Sequence, residues 1–198
     1  MADRMRLAPL LPDDVPELSD VFDRFNDIAG FIPNNMLIMA RRPELVRARL
    51  AMADALRNTS LDSSLRDLIF LMASSAAGCR YCTAHGTSGS LRRGAEEEKV
   101  RAIWEFETSD LFSESERAAL RMARDSALMP VAVTNDHFTE LRKHFDEDQI
   151  VDIVGQCCHA GWINRWSETM GTPLEDDPFA VMRRIDPEWD PGHHRAPS

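Results

Sequence analysis

Apolar residues recur at steps of three and four along nearly the whole chain, and no run of useful length alternates with a period of two. Such a pattern buries its hydrophobic side chains as one face of successive helices. Residues 13–29 place Val15, Leu18, Val21, Phe22, Phe25 and Ile28 on one face, with Gly30 as the stop. Pro43 suits the first turn of a helix through Leu45, Leu50, Met52 and Leu56, which Asn58-Thr59-Ser60 breaks. Another helix is expected from Asp62 or Ser63 to about Ala77, with Leu65, Leu68, Ile69 and Met72 inward; Gly78 stops it, and a new helix begins beside Cys79. Ser113-x-x-Glu116 is a capping-box pattern ahead of Leu120, Met122 and Ala123, in a helix ended by Met129-Pro130. Thr134 or Asn135 can cap 136–145, and Asp146 can cap a long segment to Met170. That segment carries Ile150, Val151, Val154, Cys158, Trp162 and Trp166 on one stripe and is stopped by Gly171 and Pro173. Beyond Leu174, prolines at 178, 187, 191 and 197 predict a mostly extended tail. The expected fold is all-α: one helical domain over 1–175 with an N-terminal helical extension, then a C-terminal tail, 176–198.

Composition narrows the partners. The 198 residues are 43% hydrophobic and 28% charged, enough for a core, and the net charge is −10. That balance argues against nucleic acid, and no apolar run approaches the roughly 18 residues of a membrane span. The opening Met1-Ala2-Asp3-Arg4-Met5-Arg6 is followed by no apolar stretch of signal-peptide type, so the expected location is cytoplasmic. Four cysteines fall as Cys79-x-x-Cys82 and Cys157-Cys158, a placement that in a reducing compartment indicates redox or metal chemistry before a structural staple.

A helix starting at Cys79 would set free N–H groups and a positive dipole end beside both sulfurs, favouring thiolate. Residues three apart share a helix face at roughly 5–6 Å between Cβ atoms, within a small adjustment of the ~3.8 Å a disulfide prefers. His85 is three beyond Cys82 and can reach it, whereas six residues separate His85 from Cys79. Cys79 is nearer the helix end, but the histidine singles out Cys82. Competing readings are two inert buried thiols, or a zinc site drawing on Cys157, Cys158 and His159. Adjacent residues diverge by about 100° on a helix, so Cys157 and Cys158 read better as core. Trp162, Trp166 and the methionines read as core and oligomer contacts, Glu96-Glu97-Glu98 as solvated charge at a helix start, and His193-His194 as incidental. Asp67 has a plain alternative too, as the last member of a Ser64-x-x-Asp67 capping box.

The run Leu65-Arg66-Asp67-Leu68 … Gly78-Cys79-Arg80-Tyr81-Cys82-Thr83-Ala84-His85-Gly86 resembles the core of the carboxymuconolactone decarboxylase family, in its alkylhydroperoxidase AhpD-like branch. The family pattern is an acid twelve residues before a Cys-x-x-Cys pair, with a histidine shortly after. Gly30-Phe31-Ile32-Pro33-Asn34, Arg42-Pro43-Glu44, Asn164-Arg165 and Pro173-Leu174-Glu175 extend the likeness over about 25–175. The resemblance implies an AhpD-like helical bundle, a homo-oligomer, and thiol-dependent peroxidase activity without metal or organic cofactor. Cys82 would attack the peroxide, Cys79 would resolve the sulfenic acid to a disulfide, and Asp67 and His85 would relay protons and lower the Cys82 pKa. Partners would be a hydroperoxide and an external dithiol or thiol-protein reductant. Two positions differ: Gly86 stands where characterised alkylhydroperoxidases carry the relay histidine, and Asp67 where they carry glutamate. Other readings are a non-catalytic assembly or binding protein on the same fold, and a carboxymuconolactone decarboxylase-like enzyme, against which the cysteine pair argues.

Overall fold

The computed structural model describes residues 6–196. Met1–Met5, most of the stretch behind the cytoplasmic expectation, and Pro197 lie outside them. The described residues form α1 (Ser19–Ala29), α2 (Asn34–Met39), α3 (Pro43–Arg57), α4 (Ser63–Ala76), α5 (Arg80–Arg92), α6 (Glu97–Arg101), α7 (Glu114–Ser126), α8 (Asn135–Leu141), α9 (Glu147–Met170) and α10 (Asp176–Ile185), with four 3-10 turns and no strand. The fold is all-α.

Helix ends follow local chemistry. Ser113 and Asp146 accept the N–H groups of Glu116 and Gln149 and cap α7 and α9. Gly171 ends α9 in the left-handed region at φ 56°, where a side chain would be strained. Asp62 caps α4 through Ser64 N and Leu65 N, so the Ser64–Asp67 box does not form.

Two expectations about elements are corrected. The first helix begins at Ser19 rather than 13, because Pro12 and Pro16 open separate 3-10 turns, and a proline lacks the N–H an uninterrupted helix would need. The tail is helical over Asp176–Ile185: Pro178 lies in the first turn, where N–H groups have no intrahelical partner, and it turns inward with Met182.

Two cores share α4 and α9. One gathers Leu68, Ile69, Met72, Phe106, Leu120, Leu141 and Ile153, with α4 packed on α7 and α9. The other gathers Leu18, Phe22, Met36, Val46, Cys79, Tyr81, Cys82 and Ile163, with α5 packed on α4 and α10. Burying one such leucine is worth ~2–5 kcal/mol against alanine. The stripe expected to bury α9 divides: Ile150 is buried and Val154 and Trp166 pack against the two cores, but Val151 (69% exposed), Trp162 (36%) and Cys158 face outward, and Ile153, Cys157, Ala160 and Ile163 are buried beside them. Apolar residues occupy both sides of α9, so periodicity alone does not choose between them. Trp162 stacks from the outside on Trp166, which packs against the second core, 5.7 Å between ring centroids.

Candidate active site

The turn between α4 and α5 sets the two cysteines. Gly78 turns the chain at φ 73°, and the Cys79 N–H donates to Ser74 O (3.1 Å), satisfying a carbonyl at the end of α4. Cys79 is then the N-cap of α5, its sulfur accepting the Cys82 N–H at 3.3 Å. Both thiols are free and buried. They face different surroundings. Cys82 lies in the wall of a cavity of ≈ 260 Å³, which Cys79 does not line. The Cys79 sulfur lies within 4.8 Å of a Glu168 oxygen and a His194 ring nitrogen. Its hydrogen bond with the Cys82 side chain, then burial, push the Cys79 thiol well above its ordinary range, so Cys79 stays protonated.

His194, read from sequence as incidental, is fully buried, with Nδ1 2.7 Å from Thr172 O and Nε2 2.9 Å from Glu168 Oε1. Burial works against the charge of Glu168, but His194 outweighs it and holds the carboxyl low. Cys79, Glu168 and His194 are the cluster of metal-ligating atoms among the described residues. The zinc set considered from sequence is not assembled: Cys157 packs in the other core, pushed up to about 12 by burial, and Cys158 is exposed.

His85 lies two helical steps beyond the cap, and its partner comes from the far end of the chain. Nε2 stands 2.6 Å from Glu175 Oε2, while Glu175 Oε1 accepts the Tyr81 hydroxyl at 2.8 Å and the backbone N–H of Asn34. Burial opposes a charge on Glu175; His85 and the donated hydrogen bonds outweigh it and keep the carboxyl below its usual range. Tyr81 lies against the imidazole, 4.4 Å between ring centroids. No hydrogen bond joins His85 to Cys82 among the described residues, though both line the cavity. Asp67 lines it as well, but both its oxygens are held by Arg93, at 2.7 Å each. The carboxylate paired with His85 is therefore Glu175, not Asp67. Gly86 is where α5 meets α4: a Cβ there would lie 3.2 Å from Phe70 Cδ1 and 3.6 Å from the Leu71 backbone. Any side chain at that position requires the Phe70 ring to shift by a few tenths of an ångström.

Three further residues complete the cavity, of which the sequence raised His159 alone, and only as a zinc ligand. Asn35 Oδ1, Arg49 Nε and His159 Nε2 are buried, have no hydrogen-bond partner, and belong to residues in the same wall as Cys82. An unsatisfied buried polar group costs ~1–3 kcal/mol, which makes three around one space costly for a merely structural cavity. Burial pushes the Arg49 guanidinium down to about 10, still charged near neutrality, and Cys82 is among the groups its charge acts on. Burial first, then the charges of Arg49 and Arg57, push His159 down to about 4, so it is neutral. The only sequence signal for Arg49 was a charge in the buried register of α3, beside Val46, Leu50 and Ala53. Glu175 was visible only as the end of Pro173-Leu174-Glu175.

A fold in which an α4–α5 helical pair presents Cys-x-x-Cys at a helix start defines the class. A profile described as the carboxymuconolactone decarboxylase family matches residues 43–125. The debrominase Bmp8, solved with 2,3,4-tribromopyrrole, is 32% identical at a TM-score of 0.85, covering 90% of this chain and 96% of that one. An alkylhydroperoxidase AhpD core protein from Ralstonia eutropha, described as an uncharacterised peroxidase-related protein, is 26% identical at a TM-score of 0.68, covering 95% and 93%. YdfG of Bacillus subtilis, an uncharacterised protein, is 28% identical over 130 residues, 65% of this chain and 88% of its own. The chain belongs to the carboxymuconolactone decarboxylase family, in its AhpD-like branch. No helix of the described residues is long and apolar enough to cross a membrane.

Proposed function

We propose that this protein is a thiol-dependent reductase of small electrophiles, with hydroperoxides as its first substrate class. The observation that carries the reading is the division of the pair: Cys82 faces the cavity, and Cys79 stands behind it outside the lining, its own thiol kept protonated by the Cys82 hydrogen bond and burial. The Cys82 thiolate attacks the outer oxygen of ROOH, the O–O bond breaks, and RO⁻ takes a proton to leave as alcohol, with Cys82 as sulfenic acid. Cys79 passes its proton to the Glu168–His194 pair and displaces hydroxide from the Cys82 sulfur, giving a disulfide and water. An external dithiol returns both thiols. His85, oriented by Glu175, is the proton carrier on the cavity side.

A second reading, reductive debromination, is favoured by the likeness to Bmp8 over nine-tenths of the chain. The protein side is the same: Cys82 takes bromine from carbon, the carbon is protonated, and Cys79 displaces bromide to form the disulfide. Turnover with dithiothreitol decides between them, using cumene hydroperoxide with alcohol as readout and a brominated pyrrole with bromide as readout. Turnover of the first in wild type, abolished in Cys82→Ser, supports peroxidase activity; bromide release alone supports the second. Turnover of neither, with both thiols intact, removes the reductase reading. Homo-oligomerisation belongs to the same proposal, through the outward apolar side of α9, and sedimentation equilibrium measures it.

A further inference from the structure

Asn35 Oδ1, Arg49 Nε and His159 Nε2 come from three different helices, α2, α3 and α9, and meet at the cavity that holds Cys82. Asn35 and His159 are more than nine-tenths buried. These three unpartnered side chains share a space that also contains the Cys82 nucleophile. Their chemistry is complementary rather than repetitive: a cationic donor, a neutral imidazole and a carbonyl acceptor. The rest of the wall extends the pattern. Arg57, Arg66 and Arg93 stand with Arg49 around the cavity; Arg93 is paired with Asp67 and Arg57 with Asp54, which leaves Arg49 and Arg66 as the cations without a carboxylate among the described residues. In a chain of net charge −10, this is a locally positive entrance that gathers anions the rest of the surface repels. Phe25, Phe70 and Ile163 supply an apolar remainder.

We propose that the cavity selects a small, flat organic anion: its negative group is bound by Arg49, with His159 and Asn35 taking further polar atoms, and its reducible atom is turned toward Cys82. This deepens the reductase reading and rests on it for the word substrate, though the anion site itself does not. The cavity, at ≈ 260 Å³, fits a single ring bearing a carboxylate, or a ring whose own nitrogen is ionised, and leaves no room for a peptide. Arg49 is a binding residue here and His159 a positioning one.

The experiment measures protection of Cys82 against iodoacetamide by two matched probes, pyrrole-2-carboxylate and the neutral pyrrole-2-carboxamide, in the full chain with Cys158→Ser to silence the exposed thiol. The expected result is that the carboxylate slows alkylation at least about tenfold at a concentration where the carboxamide slows it less than about twofold, and that the difference shrinks as salt is added. Arg49→Met is expected to abolish the difference and Arg49→Lys to retain part of it. If Arg49→Met does not fold, the wild-type comparison of the two probes stands alone. Equal protection by both, or by neither, overturns the proposal. Turnover without anion preference would leave the reductase reading in place and remove this one; anion-selective protection without turnover of any electrophile would do the reverse.

Discussion

At the scale of residues, the same atom type acquires different chemistry from its neighbours. Cys79 caps a helix beside Glu168 and His194 and keeps its proton; Cys82, one turn on, looks into a cavity lined by Arg49. The pair and His85 were legible in sequence because their spacing is local. Glu175, Arg49, His159 and His194 were not, because each reaches the site through tertiary contact from a distant segment. The His85 partnership makes a prediction that separates two carboxylates. Glu175→Gln lowers the rate of Cys82 oxidation about 10–100-fold, the scale of an impaired general acid–base group, whereas Asp67→Asn, which loosens Arg93, changes it less than about threefold; stopped-flow thiol oxidation measures both. His159 gives a pH dependence. Its folded value of about 4 lies below the ordinary 6.5, so between these limits the unfolded chain binds a proton that the folded chain refuses. Stability present above pH 6.5 is therefore lost as pH falls toward 4, by up to about 3 kcal/mol. Urea midpoints at pH 7.5 and 5 should differ more in wild type than in His159→Gln.

At the scale of elements, helix ends were the most readable feature and helix faces the least. Ser113, Asp146, Gly78 and Gly171 act through their own backbone neighbourhood, and each appears where its residue type predicts. The inward side of α9 depends on what packs against it, and with apolar residues on both sides the pattern was ambiguous. α10 was missed because prolines were weighed as breakers, while Pro178 stands in a first turn that tolerates one. The α4–α5 contact explains the departure at position 86. Gly86 lets α5 approach Phe70 and Leu71, and Phe70 in turn forms cavity wall. Gly86→His should therefore cost about 1–3 kcal/mol by over-packing and fail to raise peroxide turnover. A lowered melting midpoint with unchanged or reduced turnover is the expected outcome; a faster enzyme would mean that the helix pair can open to admit a second histidine.

At the scale of the whole molecule, the C-terminal segment of the described residues closes on the middle of the chain. Glu175 and His194, both late in sequence, touch His85 and the Cys79 cluster, and Leu174 N donates to His194 O at 2.7 Å. Net acidity, legible from composition, proved compatible with an arginine-lined entrance, because an average charge says nothing about where the positive residues gather. The four cysteines likewise divide by company: Cys79 and Cys82 adjoin at the start of α5 in one core, Cys157 is buried in the other, and Cys158 is exposed. The division is open to direct measurement: one equivalent of hydrogen peroxide, dimedone as a sulfenic acid trap, and peptide mass mapping of wild type, Cys79→Ser and Cys82→Ser. The account predicts loss of two hydrogens across Cys79–Cys82 in wild type, a dimedone adduct on Cys82 in Cys79→Ser, and an unreacted Cys79 in Cys82→Ser. An adduct on Cys79 in Cys82→Ser, or wild-type thiols left intact by peroxide, would contradict it.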